Sequence, residues 1–188
     1  MPARERLSAE TWARAALEAL TTGGLAAVAV EPLAARLGAT KGSFYWHFPG
    51  RDALVDAALD LWERAHTDAV IADLDRLSDP RERLRRLARR TLGHADGGDP
   101  VVPLLRDVDD PRVREVLARV TRRRVEYVRA LLVESGVPPE EAGRRATVAY
   151  SAYVGWWQTR AVAPELAPTG GASDGYARVL TEILLPGG

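Results

Sequence analysis

Residues 31–51 read EPLAARLGATKGSFYWHFPGR, and this stretch decides how the rest of the 188-residue chain is interpreted. Two short apolar patterns flank its Gly-Ala-Thr turn: Leu33 and Leu37 lie before the turn, and Phe44 and Phe48 lie after it. The spacing places each pair on one face of a helix, and small residues at the turn let two helices cross closely. The stretch therefore predicts a helix-turn-helix motif, whose second helix is free to enter a DNA major groove.

The outward face of that second helix carries hydrogen-bond donors, one cation and aromatic rings. The candidate contact residues are Thr40, Lys41, Gly42, Ser43, Tyr45, Trp46 and His47. Gly42 is unusual inside a helix, where glycine costs about 1 kcal/mol relative to alanine, and close approach of the backbone to a partner would explain it. The aromatic residues could also be plain core, and only the flanking pattern favours DNA binding.

Nearly all other periodic segments have the spacing of a helix. Ser8 is a good cap for the first one, and Pro111 begins a later one. The apolar run at 25–30 has no partner run, so we interpret it as a link between helices rather than a strand. These patterns predict an all-α fold of about nine helices, with a three-helix N-terminal domain over residues 1–50 and a helical bundle over residues 51–188.

The run from Leu17 to Leu54 resembles the N-terminal domain of the TetR family of transcriptional regulators. A helix ending in Gly-Gly is followed by LAARLGATKGSFYWHF and by an Arg-x-Ala-Leu that opens the next helix, and YWHF is most similar to the branch containing the tetracycline repressor. The resemblance implies a homodimer that binds a pseudo-palindromic double-stranded operator as a repressor and is released by a small-molecule effector. Ala29 departs from the family pattern, in which Ser or Thr usually caps the second helix.

The resemblance also implies roles for individual side chains of the motif. Base-facing positions fall on Lys41, Gly42 and Ser43, with Trp46 against a methyl group or a sugar. Phosphate-contacting positions fall on Thr40, Tyr45, His47 and Arg51.

In that family the C-terminal bundle encloses an effector pocket, and its last two long helices form the dimer interface. The candidate ligand-binding residues are Trp62, His66, Tyr153 and Trp157. The candidate interface residues are Ala149, Ala152, Trp156, Val179 and Ile183. The aromatic cluster of the penultimate helix, which also includes Tyr150, could be interface, pocket wall or plain core. Tetracycline binding is not predicted, because His66 stands alone where the tetracycline repressor has two adjacent histidines.

Composition narrows the classes of protein that remain. The chain has 26 basic and 26 acidic residues, which argues against coating nucleic acid through bulk charge. The absence of cysteine excludes disulfides, thiolate metal sites and a cysteine nucleophile. With no visible signal sequence and no apolar run long enough to span a bilayer, we expect a cytoplasmic protein without a membrane partner. No nucleophile–base pair or phosphate-binding loop is present, so we expect neither an enzyme nor a cofactor.

Neither the arginine clusters nor the remaining histidine near an acidic residue indicates a further site. The arginine clusters at 85–90 and 122–124 stand among acidic neighbours and are interpreted as solvated helix faces. His94 and Asp96 are too weak a signal for a metal ion, so no metal site is predicted. The alternative to a regulator is an all-helical small-molecule-binding protein or enzyme with a vestigial DNA-binding motif.

Overall fold

The computed structural model describes residues 7–93, 101–167 and 171–185, in which every regular element is helical. The α-helices are α1 (Ala9–Gly23), α2 (Val30–Arg36), α3 (Lys41–His47), α4 (Arg51–Glu63), α5 (Ala69–Leu74), α6 (Pro80–Gly93), α7 (Val101–Leu105), α8 (Pro111–Glu134), α9 (Pro139–Val162) and α10 (Gly171–Leu184). A π-helical turn covers Arg64–Asp68, between α4 and α5 in the sequence, and short 3₁₀ turns cover Leu25–Ala27 and Pro164–Leu166. The predicted all-α fold is confirmed.

Local sequence signals set the helix ends near the motif. The Ser8 hydroxyl accepts a hydrogen bond from the Thr11 backbone N–H at 3.1 Å, and the Thr40 hydroxyl accepts one from Ser43 at 3.2 Å. Both are the N-cap geometry that satisfies an otherwise unpaired helix donor. Gly24 and Gly38 end α1 and α2 with positive φ angles of 74° and 62°, a conformation that favours glycine.

The chain divides into two compact units. The first comprises Met1–Ala65 and Pro103–Leu117, and the second comprises His66–Val102 and Ala118–Gly188. The functional boundary predicted between residues 50 and 51 does not coincide with this division and remains a prediction.

Aromatic side chains at the centre of the first unit hold α3 in place. Trp12, Phe44 and Trp62 are fully buried, and the Trp12 and Phe44 rings meet edge to face with their centroids 5.4 Å apart. Burial of each such side chain stabilises the unit by about 1.5–3 kcal/mol. One face of the short α3 is therefore fixed by the core, which leaves its other face available.

The second unit is a helical bundle whose core runs between α6, α8, α9 and α10. Leu84, Leu131, Leu132 and Leu184 are buried there. The indole N–H groups of Trp156 and Trp157 donate to the backbone carbonyls of Leu92 and Thr91, each at 3.1 Å. These carbonyls lie in the last turn of α6, where no intrahelical donor is available, so the two indoles tie α9 to the end of α6. Within the described ranges, no helix combines the length and the apolar character needed to cross a membrane.

Candidate nucleic-acid interface and ligand cavity

Helix α3 presents its large polar and aromatic side chains outward. Tyr45 is 60% exposed and Trp46 is 77% exposed, whereas their neighbour Phe44, in the middle of α3, is completely buried. His47, in the last turn, is half-buried with its ring 6.5 Å from that of Phe48. Exposing two large aromatic rings side by side is unfavourable for a free surface, and this is typical of a surface that binds a partner.

The N-terminus of α3 is open to a close approach from outside. A Cβ atom added at Gly42 would meet only the Thr40 hydroxyl oxygen, at 3.7 Å, which is an ordinary contact. The fold therefore does not require glycine there, although glycine weakens a helix. Gly42 lies on an exposed helix face, and the fold does not need a glycine there. Its presence is consistent with the predicted contact between the backbone and a partner.

Lys41 forms an ion pair with Glu31 of α2 across the turn. A hydrogen bond and the charge of Lys41 lower the pKa of Glu31 below its usual range, and Glu31 in turn raises the pKa of Lys41. Both groups are consequently charged at neutral pH. A phosphate or a guanine edge that binds Lys41 therefore has to replace the Glu31 carboxylate. This ion pair was not predicted from the sequence.

Arg51 has an internal contact that the sequence did not reveal. Its Nε donates to the carbonyl of Val28 at 2.7 Å, and a terminal nitrogen donates to the carbonyl of Leu25. The first residue of α4 thus fastens the link between α1 and α2. Arg51 was predicted to contact phosphate, and that role stays a prediction beside the bracing role that the structure gives it.

The segment Pro103–Leu117 also belongs to the first unit, and it holds the end of α1. The Asp107 carboxylate accepts a hydrogen bond from the Leu25 N–H at 3.0 Å, and Arg106 donates to the carbonyl of Leu20 at 3.3 Å. Arg112, in the first turn of α8, pairs with Asp52 in the first turn of α4 at 2.7 Å. These contacts join residues more than 50 positions apart, so no local pattern could have predicted them.

The second unit contains a cavity with walls from six helical segments. Its lining residues come from the π-helical turn and from α5, α6, α8, α9 and α10. The volume open to the centre of a water molecule is about 100 Å³. One water needs about 10–15 Å³ by this measure, so the cavity accommodates a small organic molecule.

Arg124 is the cationic side chain of the cavity wall and lies within a network of polar groups. Its Nε donates to the Thr67 hydroxyl at 2.9 Å, and its terminal nitrogens donate to the His66 carbonyl at 3.0 Å and to the Tyr153 hydroxyl at 3.4 Å. The interpretation of cluster 122–124 as a solvated face holds for Arg122 and Arg123, which are exposed, but was wrong for Arg124.

The comparisons with known proteins agree with this geometry. Residues 13–58 match the family model described as bacterial regulatory proteins of the tetR family. This range contains α2, α3 and the turn between them. Residues 13–58 are a TetR-family N-terminal domain.

Solved structures extend the likeness to nearly the whole chain. NemR from E. coli, in its reduced form, has a TM-score of 0.78 at 17% identity, covering 95% of this chain and 97% of that one. A transcriptional regulator from Rhodococcus sp. Rha1 has a TM-score of 0.78 at 20% identity, over 95% and 96% of the two chains. A candidate transcriptional regulator from Saccharomonospora viridis, in complex with choline, has a TM-score of 0.77 at 18% identity, over 94% of each chain.

At these identities the likeness to solved structures shows the fold alone, which is the fold of TetR-family transcriptional regulators. A comparison with curated protein sequences gives no match.

The cavity contains half of the predicted ligand-binding residues. His66 and Tyr153 line it, whereas Trp62 is buried in the first unit and Trp157 is not among the lining residues. Sequence reasoning missed Thr67, Arg124 and Tyr127. Tyr150, for which the sequence allows interface, pocket wall or core, also lines the cavity.

The candidate interface residues of α9 and α10 divide between the inside and the outside of the protomer. Ala149 and Trp156 are buried within the protomer, and Ala149 also lines the cavity. Val179 is 49% exposed and Ile183 is 62% exposed, while Ala152 is half-buried. Two of the five residues therefore face outward on α10.

Metal binding finds no support in the part of the chain that the structure describes. No group of three or more His, Asp or Glu side chains there could hold an ion. His94 and Asp96 lie outside the described residues.

Proposed function

We propose that the protein is a ligand-responsive transcriptional regulator that binds a pseudo-palindromic DNA operator as a homodimer and is released by a small molecule. The observation that carries this proposal is the outer face of α3. Thr40, Lys41 and Gly42 form its leading edge, and exposed Tyr45 and Trp46 lie one turn later. A helix of this kind, placed in the major groove, brings donors to base edges and aromatic rings to methyl groups or sugars.

The contact residues on α3 are proposed to divide into two kinds. Lys41, Gly42, Ser43 and Trp46 face the bases, and Thr40, Tyr45 and His47 face the phosphates together with Arg51. Base contacts specify the sequence, whereas phosphate contacts position the protein and depend on salt. Replacing a residue of the first kind should change the preferred sequence, and replacing one of the second kind should weaken all sequences about equally.

An apolar face on α9 and α10 supports the homodimer. Val148 and Val162 on α9 are 56% and 79% exposed, and Val179 and Ile183 on α10 are similarly uncovered in the single protomer. In α9 the residues between these valines on the same face, at positions 152 and 155, are small, which permits close packing of helices. We therefore assign the dimer interface to this α9–α10 apolar face.

The oligomeric state tests that assignment directly. Val179→Glu and Ile183→Glu should convert a dimer into a monomer in light scattering, because each places a charge in a buried apolar contact. Thr147→Glu, on another face of α9, is the control and should leave the dimer intact. A wild-type protein that is monomeric at micromolar concentration would contradict the homodimer.

The cavity of the second unit supports a small-molecule effector. One structural neighbour, from Saccharomonospora viridis, is in complex with choline, but at 18% identity the identity of that ligand does not carry over to this chain. This chain has no cysteine and cannot sense oxidants through thiols. A non-covalent ligand is therefore the signal that we propose. The regulator is proposed to act in the cytoplasm, where its DNA is found.

Selection of randomised duplex DNA by the full-length protein, at about 0.15 M salt with competitor, tests DNA recognition. We expect enrichment of a palindrome whose half-site centres lie about one helical turn, ~34–36 Å, apart. A Lys41→Ala, Trp46→Ala double variant is the control and should recover no such site. No enrichment by the wild-type protein would favour the alternative, a helical small-molecule-binding protein with a vestigial motif.

A further inference from the structure

The cavity of the second unit combines an apolar group and a polar group of side chains. Leu84, Ala149 and Leu184 are buried members of the bundle core, and Val128 and Leu180 pack against them. The polar group consists of the Arg124 network with Thr67 and Tyr153, and the ring of Tyr150 lies 5.9 Å from that of Tyr153. A molecule that fills the cavity therefore contacts hydrocarbon over most of its surface and polar groups over a small part.

Several hydroxyl groups of the wall are committed to the protein itself. Thr91 and Thr181 donate to carbonyls of their own helices, at 2.8 Å and 2.9 Å for the shortest contacts. The Tyr127 hydroxyl donates to the Asp75 carboxylate at 2.9 Å. Burial and this hydrogen bond raise the pKa of Tyr127, so it stays a neutral donor to Asp75. The Tyr150 hydroxyl is paired with the Thr121 hydroxyl at 3.0 Å, so recognition of a ligand's polar group depends on Arg124 and Tyr153.

The contact between Arg124 and Tyr153 is the most easily exchanged in this network. At 3.4 Å it is longer than a usual N–H···O hydrogen bond of 2.7–3.2 Å, whereas the contacts to Thr67 and His66 lie within that range. An oxygen atom of a ligand placed near the Tyr153 hydroxyl would accept a shorter, charge-assisted hydrogen bond from the guanidinium. The Tyr153 hydroxyl would then be able to donate to the same oxygen.

The position of Arg124 also disfavours cationic ligands. Its guanidinium carbon is 5.9 Å from the centroid of the Tyr153 ring, within cation–π distance. A ligand ammonium seeking that ring would meet a permanent positive charge already beside it. Like charges repel more strongly in a partly desolvated cavity than in water.

We infer that this cavity binds a molecule with an apolar body and a single hydrogen-bond-accepting head group, anionic or neutral, which Arg124 and the hydroxyl of Tyr153 recognise. The space corresponds to a body on the order of ten non-hydrogen atoms. The inference rests on the proposed function in one respect, because it takes this molecule to be the effector. The binding chemistry itself does not depend on DNA.

Four probes that share an ethylphenyl body test the head group. They are 4-ethylbenzoate, 4-ethylacetophenone, ethylbenzene and 4-ethylbenzylammonium, titrated calorimetrically into the full-length protein without DNA. We expect the ketone to bind about three- to tenfold more tightly than ethylbenzene, and the benzoate more than about tenfold more tightly. The ammonium compound should bind no more tightly than ethylbenzene.

Variants identify which side chains provide the discrimination. Tyr153→Phe keeps the ring and should reduce the advantage of the two acceptor probes over ethylbenzene by about three- to tenfold. Arg124→Gln should abolish the tighter binding of the benzoate relative to ethylbenzene. If Arg124→Gln does not fold, Tyr153→Phe still tests the inference. Tyr176→Phe is the matched control, since Tyr176 is 39% exposed on α10 and does not line the cavity, and it should bind all four probes as the wild-type protein does.

Equal affinity for the benzoate and ethylbenzene, or tightest binding of the ammonium compound, would overturn the inference. Absence of binding by all four probes would overturn it as well. If the DNA selection fails but the benzoate binds tightly, the proposed regulatory function is refuted and the proposed ligand class is supported. If the selection succeeds but the ketone and the benzoate bind no more tightly than ethylbenzene, only the proposed ligand class is refuted.

Discussion

Between Thr40 and His47 the candidate contact residues follow one another along a single short helix, whereas the walls of the cavity come from six segments between His66 and Leu184. In α3 the inner and outer faces are separate, because Phe44 is buried and its neighbours Tyr45 and Trp46 are exposed. In the cavity the same side chains are core and lining at once, as Ala149 and Leu184 illustrate. Function should therefore be separable from stability in α3 and coupled to it in the cavity.

The strongest test of this difference uses two adjacent residues of α3. Phe44→Ala removes a fully buried ring and should destabilise the protein by about 3–5 kcal/mol. Tyr45→Ala, one position later on the exposed face, should change the free energy of unfolding by less than about 0.5 kcal/mol while weakening DNA binding. Urea unfolding and DNA titration of both variants provide the measurements. Similar losses of stability would show that the two faces of α3 are not independent.

In the second unit, two adjacent arginines provide the corresponding pair. Arg124→Gln withdraws donors from the Thr67 hydroxyl and the His66 carbonyl and should cost about 1–3 kcal/mol of stability. Arg123→Gln disrupts an exposed ion pair with Asp68, at 3.0 Å, and should cost less than about 1 kcal/mol. Thermal unfolding without ligand compares them. If Arg123→Gln were the more damaging change, the coupling of core and cavity at Arg124 would be refuted.

The ion pair between Lys41 of α3 and Glu31 of α2 allows a test in which one substitution weakens DNA binding and the other strengthens it. Lys41→Ala should weaken DNA binding about tenfold or change the preferred base. Glu31→Gln removes the competing carboxylate and should strengthen binding by a few-fold, because Lys41 no longer exchanges one charged partner for another. Titrations of the selected DNA at several salt concentrations measure both effects. A weaker complex for Glu31→Gln would mean that Glu31 positions Lys41 rather than competing with DNA.

The smallest expected effect concerns acid stability of the first unit. Hydrogen bonds from the side chain and the backbone N–H of Arg112, and then the charge of Arg112, lower the pKa of Asp110. A carboxyl with a depressed pKa in the folded state stabilises that state above its unfolded pKa of about 3.9, and the contribution is lost as the pH falls through the lower folded value. Because the pair is partly exposed, we expect a loss of about 0.2–1 kcal/mol.

Denaturant unfolding at pH 7 and pH 3 checks this expectation, with Asp110→Asn as the comparison. The wild-type protein should lose more stability than the variant over this interval. Identical pH dependence of the two proteins would show that Asp110 contributes nothing to acid sensitivity.

Sequence alone was sufficient for the all-α fold and for the motif around α3. Helix periodicity, the Thr40 cap and the glycine stops act over a few residues, so the order of amino acids determines them before any distant contact forms. The separation of Phe44 and Phe48 from the outward side chains follows from the same short-range geometry. For that reason all the candidate contact residues of α3 could be named from a single stretch.

Only the tertiary structure decided which side chains line the cavity and which charges are paired. Arg124 looked like its neighbours in the sequence, but it turns toward Thr67, 57 positions away. Arg51 is predicted to contact phosphate, and the structure adds that its Nε donates to the carbonyl of Val28. Trp62 carried the expected aromatic chemistry and is instead core of the first unit. Such roles depend on contacts between residues far apart in the chain, and these contacts are set by packing, which no local spacing encodes.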